Sequence, residues 1–456
     1  MTREPDPITK GLWLGTLALM GLIPFLSIPT DFAYGAAKGI GWTGNLALIT
    51  AFFFALSLRG MSKVLIGGRD KALLAFGLSF IVYAVAGLAF GPNNFILSLA
   101  AILGIAGGLG AGFGAYALAK SGTDPIKPLL RWTLIGSLPF LVLPFLVEAT
   151  LPRFEGKEWM FNLYGFSNPR SLGHYSTIAI VILVGLTSVV LPKNAAARSW
   201  RLPHFALLIA MWAILMWSGS RGGVAALGVG ILLSCLVLWR LKIAEVLWNG
   251  AAAVIGSAIS LVFVIPHSSY GVLNRFVSFA EKAREATTTG DGGVSAVAEE
   301  VATGRVEVWT WAIARIAEKP WFGWSYLPMR GIEADDHPGL AHAHNIVLDY
   351  AMGFGIPLAA VVIGVVVWLW WRAGVAARRA NTATAQTAFH LATVLPVYSM
   401  LSAVLISPYQ LSVFGVVIGG LIGTEVLRKA GGIPAAARTQ EPGETPDGVA
   451  DDAIFV

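Results

Sequence analysis

Three short polar elements interrupt an apolar chain, and each carries groups suited to an anion or to proton transfer. The first is Ser218-Gly219-Ser220-Arg221-Gly222-Gly223, set between two apolar stretches. The 20 residues from Arg201 to Arg221 and the 19 from Arg221 to Arg240 each rise roughly 30 Å as helix, about one hydrocarbon thickness. Arg221 therefore faces one membrane boundary while Arg201 and Arg240 face the other. A cation there either snorkels to water or pairs with an anion. The flanking Gly and Ser residues favour pairing, because they permit close backbone approach and add hydroxyl donors at Ser220, and guanidinium is a planar fork suited to phosphate.

The second is Arg305, in the first turn of a predicted helix. A cation at that end opposes the helix dipole, unless an anion bound there draws on both the free amides and the side chain. The alternative is a solvated arginine.

The third is Ala341-His342-Ala343-His344-Asn345, where an apolar run resumes. With His337, Asp335 and Asp336 these histidines offer metal-ligand chemistry, but the short His-x-His spacing brings no distant ligand set with it. The alternative is a general base. His344 lies by a helix N-terminus, where the dipole favours the neutral imidazole that takes a proton from a hydroxyl. Asn345 suits a helix cap. Asp349, one turn on, either orients a donor or is a solvated helix-end acid. Arg170, in Asn168-Pro169-Arg170-Ser171, is a further anion contact or an ordinary interfacial arginine.

The elements that position these groups are membrane helices. The 456 residues are 56% hydrophobic and 13% charged, with a mean hydropathy of +0.70, which describes a polytopic membrane protein. The net charge of +6 is spread over short loops and does not suggest nucleic acid. The single cysteine, Cys235, excludes an intrachain disulfide. Apolar runs predict twelve spans: 11–29, 41–58, 72–90, 96–118, 130–148, 171–191, 203–219, 222–239, 243–265, 344–371, 387–406 and 409–427. The first is longer than a signal-peptide core and reads as a retained span. Loops on the side of the termini hold 20 Lys and Arg against 5 in the opposite short loops, which puts both termini in the cytoplasm. Arg221 and segment 266–343 then face outward, into the periplasm of a Gram-negative cell.

The chain divides into spans at 1–265, a periplasmic loop at 266–343, further spans at 344–428, and a disordered cytoplasmic tail at 429–456. The loop is too long for a plain connection. Its first half reads as mobile. Its second half predicts an amphipathic helix over 306–317, capped by Thr303, stopped by Lys319-Pro320, and apolar along Trp309, Ala312, Ile313 and Ile316. Gly104, Gly108 and Gly112 read as close helix packing.

Taken in order, these pieces resemble the O-antigen ligase and O-antigen polymerase family. Ser218-Gly219-Ser220-Arg221-Gly222 is similar to that family's short turn before a span. Gly304-Arg305, then Trp309, Pro320 and Gly323, is similar to its outer-loop helix. His344-Asn345, then Leu348, Gly353 and Gly355, is similar to its histidine motif. The chain departs at Gly323, followed by Trp324-Ser325 where a second glycine is common, and at Arg170, where an Asn-containing turn is common. The resemblance implies an inner-membrane glycosyltransferase using a polyprenyl-diphosphate-linked glycan as donor and lipid A-core or another glycan as acceptor, with no cofactor or metal. In that reading His344 is the base, Arg221 and Arg305 hold the diphosphate, and His342, Asn345, Asp349, Ser220 and Arg170 are secondary contacts. Direct displacement would invert the anomeric carbon.

Two other readings compete. A polymerase runs the same chemistry on a lipid-linked glycan acceptor; nothing in the chain marks a second glycan site, which favours the ligase. A twelve-span transporter would place charge or broken helices near the midplane, whereas no Lys or Arg falls inside a predicted span.

Overall fold

The computed structural model describes residues 10–22, 75, 77–79, 81–82, 95–150, 169–191, 195–262, 281, 284, 305–324, 342–402, 404–406 and 408–431. All regular structure among them is helical. The helices are α1 (Lys10–Leu22), α2 (Phe95–Lys120), α3 (Ile126–Ser137), α4 (Leu143–Thr150), α5 (Pro169–Val190), α6 (Ala195–Trp217), α7 (Arg221–Leu238), α8 (Ile243–Ser260), α9 (Arg305–Glu318), α10 (Ile346–Phe354), α11 (Ile356–Ala380), α12 (Ala383–Ser402) and α13 (Pro408–Lys429). Seven described segments are long and apolar enough to cross a membrane. Predicted span 41–58, the tail beyond Gly431, Thr303, and the Asp335, Asp336 and His337 of the alternative metal set lie outside the described residues.

Two helices expected to be continuous are broken. In the span read over 130–148, Pro139 ends α3 and a 3-10 turn, Leu138–Leu141, intervenes before α4. In the span read over 344–371, Gly355 takes φ +80° and separates α10 from α11. At nine residues, roughly 14 Å, α10 is too short to cross. The span starts at Ile356, and α10 with its histidines stands outside it.

α12 is the axis of the bundle, packed against α5, α7, α11 and α13, with α10 at one end. It is buried although it carries Thr387, His390, Thr393 and Ser399. These groups stay inside because they are bonded: Thr387 and Thr393 donate to carbonyls of their own helix, Thr393 accepts the Trp370 indole N–H at 3.0 Å, and His390 Nδ1 meets Ser234 at 2.5 Å. Glycine brings backbones together around it. A Cβ at Gly230 would stand 2.8 Å from the Val394 Cα, and one at Gly108 would stand 2.5 Å from Leu411 of α13. Gly112 likewise packs on Gly415, so these two glycines serve as helix-packing positions. At the periphery, α8 and α11 present large exposed apolar side chains, among them Leu247, Val254, Val361, Val367 and Trp368, as surfaces suited to lipid.

Contacts sort the helix ends. At one end Arg201 donates to the Val190 and Leu191 carbonyls, Arg378 lies over the Trp239 ring, and Arg379, Arg428 and Lys429 surround the Glu425 carboxylate. These contacts bring the ends of α7, α11 and α13 together. The other end gathers the starts of α5, α7 and α11, all of α10, and the end of α12.

Candidate functional site

The turn before α7 is built by closeness. Helix α6 stops at Trp217, and Gly219 takes φ +70°, which a side chain would resist. The Arg221 amide then donates to the Gly219 carbonyl at 3.0 Å. Helix α5 presses on this turn, since a Cβ at Gly173 would meet the Ser220 Cβ at 2.4 Å and one at Gly223 would meet the Thr177 hydroxyl oxygen at 2.8 Å. From α12, Tyr398 bonds its hydroxyl to that of Ser220, and the His174 ring stands edge-on to Tyr398 with centroids 5.1 Å apart. Arg221 is half-buried at the head of α7. Arg170 is the second residue of α5, one turn before His174.

A second wall is formed by α9, the histidine loop and α10. The buried stripe of α9 is Val308, Ala312 and Ile316; Ile313, expected on that face, is 58% exposed. The end of α9 is stitched to α10 and α11: Ile356 N–H donates to the Pro320 carbonyl at 2.7 Å and Trp324 N–H to the Met352 carbonyl at 2.8 Å. Gly323 (φ +69°) and Gly355 are needed for this contact, because a Cβ at either would fall within 2.6 Å of the opposing backbone. Trp324, where the family pattern favours glycine, donates its indole N–H to the Arg315 carbonyl at 2.8 Å and lies under the Lys319 ammonium at 3.9 Å. Trp324 thus props the junction from the α9 side.

Both backbone polar groups of Ala343 are held by side chains. Its N–H donates to Asp349 Oδ1 at 2.7 Å, and its carbonyl accepts the Trp309 indole N–H at 3.0 Å. His344 takes φ +56°. Its N–H donates to His342 Nδ1 at 3.1 Å, which requires that nitrogen to be unprotonated, and the two rings meet at 4.2 Å. Asn345 caps α10, accepting from Val347 and Leu348 N–H at 3.0 and 3.3 Å. Asp349 is not a solvated acid: it is 6% exposed, and Oδ2 is buried with no hydrogen-bond partner among the described residues. Burial lifts its carboxyl to about 7 against the opposing pull of the Ala343 and Asn345 amides. Arg305 precedes Trp309 by one turn on the same face of α9.

The structure therefore gathers His342, His344 and Asn345 in one loop with Asp349 in the first turn of the helix that follows, and Arg305 one helical turn from the tryptophan that clamps the loop. Ser220 and Arg221 form a second group with Tyr398 and His174. The groups share α12, whose end carries Tyr398 and receives α10. Tyr398 and His174 escaped sequence reasoning. Tyr398 lies 178 residues from its partner in an apolar run, and the only hint of His174 was its place one turn after Arg170.

An all-helical bundle with lipid-suited flanks and polar clusters gathered at one end defines an integral membrane protein. Residues 206–363, about a third of the chain, match the family model described as O-antigen ligase, so this segment is similar to that family. The matched segment runs from within α6 into α11 and takes in the Arg221 turn, α9 and the histidine loop. No curated protein matches the chain.

Proposed function

We propose that the protein is an O-antigen ligase of the bacterial inner membrane. It transfers a glycan from polyprenyl diphosphate to lipid A-core at the outer end of the bundle, and both termini are cytoplasmic. The observation that carries this reading is the clamped histidine loop of α10, standing outside the spans and packed on the same helix as the Arg221 turn.

The chemistry makes two demands. The acceptor hydroxyl must lose a proton as it attacks the anomeric carbon, and the departing diphosphate must be stabilised. His344 takes the proton, held by a loop whose two peptide groups flanking the Ala343 Cα are each hydrogen-bonded to a side chain. Its neighbour His342, with Nδ1 accepting a loop N–H, presents a proton at Nε2 when neutral, suited to an acceptor or phosphate oxygen. Arg221 and Arg305 bind the diphosphate, whose charge grows as the glycosidic bond breaks. One-step displacement inverts the anomeric centre. The polyprenyl chain lies in the lipid beside the apolar helices.

The test is transfer by the purified protein from a polyprenyl-diphosphate glycan. Lipid A-core and a second lipid-linked glycan are offered as acceptors, with and without a chelator. Product on lipid A-core with inverted configuration supports the reading. Product only on the lipid-linked glycan makes it a polymerase. Retention of configuration refutes direct displacement, and loss on chelation refutes metal independence.

A further inference from the structure

Helix α7 begins against a local rule. Serine before a first helical turn ordinarily turns its hydroxyl onto the free amides of that turn. Ser220 holds that position with φ −81° and ψ 78°, and its side chain makes no capping bond. Its hydroxyl is engaged with the Tyr398 hydroxyl instead. Both residues are buried, Ser220 at 4% and Tyr398 at 0% exposure, so the bond forms away from solvent.

The tyrosine ring is held from several directions. His174 stands edge-on to it, with ring planes 88° apart. A Cβ at Gly222 would lie 3.2 Å from a ring carbon, so α7 passes close to the ring. Gly173, beside His174, is pressed still more closely onto Ser220, where a Cβ would stand 2.4 Å from the serine Cβ. A rigid ring placed this way can fix where the turn sits relative to α5 and α12, and Arg221 is the next residue.

We propose that Tyr398 is the positioning residue of the Arg221 turn. By taking the Ser220 hydroxyl it withdraws that group from the first turn of α7 and sets the backbone from which the arginine reaches the donor diphosphate. The assignment rests on Arg221 being a diphosphate contact. Tyr398 acts through that contact and does not itself touch substrate.

The test is binding of polyprenyl diphosphate to the purified full-length protein in lipid nanodiscs. Tyr398→Phe and Ser220→Ala each remove one side of the same bond, and each is expected to weaken binding roughly tenfold. The double variant is expected to be no weaker than either single one, since the bond is lost only once. In an Arg221→Ala background neither change is expected to weaken binding further. Wild-type affinity in both single variants overturns the proposal. So does a tenfold loss that persists without Arg221, because the tyrosine would then support the fold and not the arginine. Should Tyr398→Phe fail to fold, Ser220→Ala, which deletes one atom, reads the same bond. If Arg221→Ala alone binds like the wild type, the diphosphate assignment has failed. If Arg221→Ala weakens binding and the two hydroxyl variants do not, only the positioning assignment has failed.

Discussion

His344 stands in a left-handed conformation in front of a capped helix, its loop held by an aspartate on one side and an indole on the other. Such a conformation costs about 1–3 kcal/mol in a non-glycine residue and persists where the surroundings over-determine it. His344→Ala in the purified protein should lower the transfer rate by about 10²- to 10⁴-fold with the donor still bound; a fully active variant would remove the histidine from the chemistry. Asp349 yields a pH prediction. Its carboxyl is raised from 3.8 to about 7, so the folded protein holds this proton more tightly than the unfolded chain. Its contribution to stability is complete below pH 3.8 and is lost as pH rises through about 7. Asp349→Asn keeps an acceptor for Ala343 but cannot titrate. Across that window the melting temperature of the wild type should fall relative to that of the variant, and parallel curves would contradict the burial argument. At this scale the Asn345 cap was legible, because a capping asparagine is a local signal. The burial of Asp349 was not, because nothing near it in the chain says what covers it.

At the scale of elements, the junction of α9 with α10 and α11 decides where the histidine loop sits. Two positive-φ glycines and two interhelical backbone hydrogen bonds make it. A Cβ at Gly355 would stand 2.2 Å from the Trp321 carbonyl oxygen. Gly355→Ala should therefore destabilise the protein by about 1–3 kcal/mol and lower transfer, read as a drop in melting temperature together with activity. Trp309→Phe is a gentler probe of the same junction. It keeps an aromatic six-membered ring and removes the pyrrole ring with the N–H that holds the Ala343 carbonyl, so transfer should fall roughly tenfold while the melting temperature falls less than in Gly355→Ala. Most helices could be read from hydrophobic runs. The breaks at Pro139 and Gly355 were missed because a hydropathy pattern records how apolar a stretch is and not whether its backbone continues.

At the scale of the whole molecule, the end opposite the site is tied by Glu425, 7% exposed in its side chain and facing Arg379, Arg428 and Lys429, which are about half-exposed. Glu425→Gln leaves these cations without their shared carboxylate. Screening by water at the exposed arginines limits the loss to about 1–2 kcal/mol. A lower melting temperature with an unchanged KM for the donor is the expected outcome, since the site lies at the far end.

Composition and hydropathy alone determined a helical membrane protein, and the order of three polar motifs pointed to the family whose model matches residues 206–363, because both are properties of the chain read locally. The folded bundle decided which distant groups meet. The Ser220–Tyr398 bond, the clamp on Ala343 and the burial of Asp349 each join side chains or backbone across helices or turns. A buried polar group must find its partner wherever the packing places one, and for Ser220 that partner lay 178 residues along the chain.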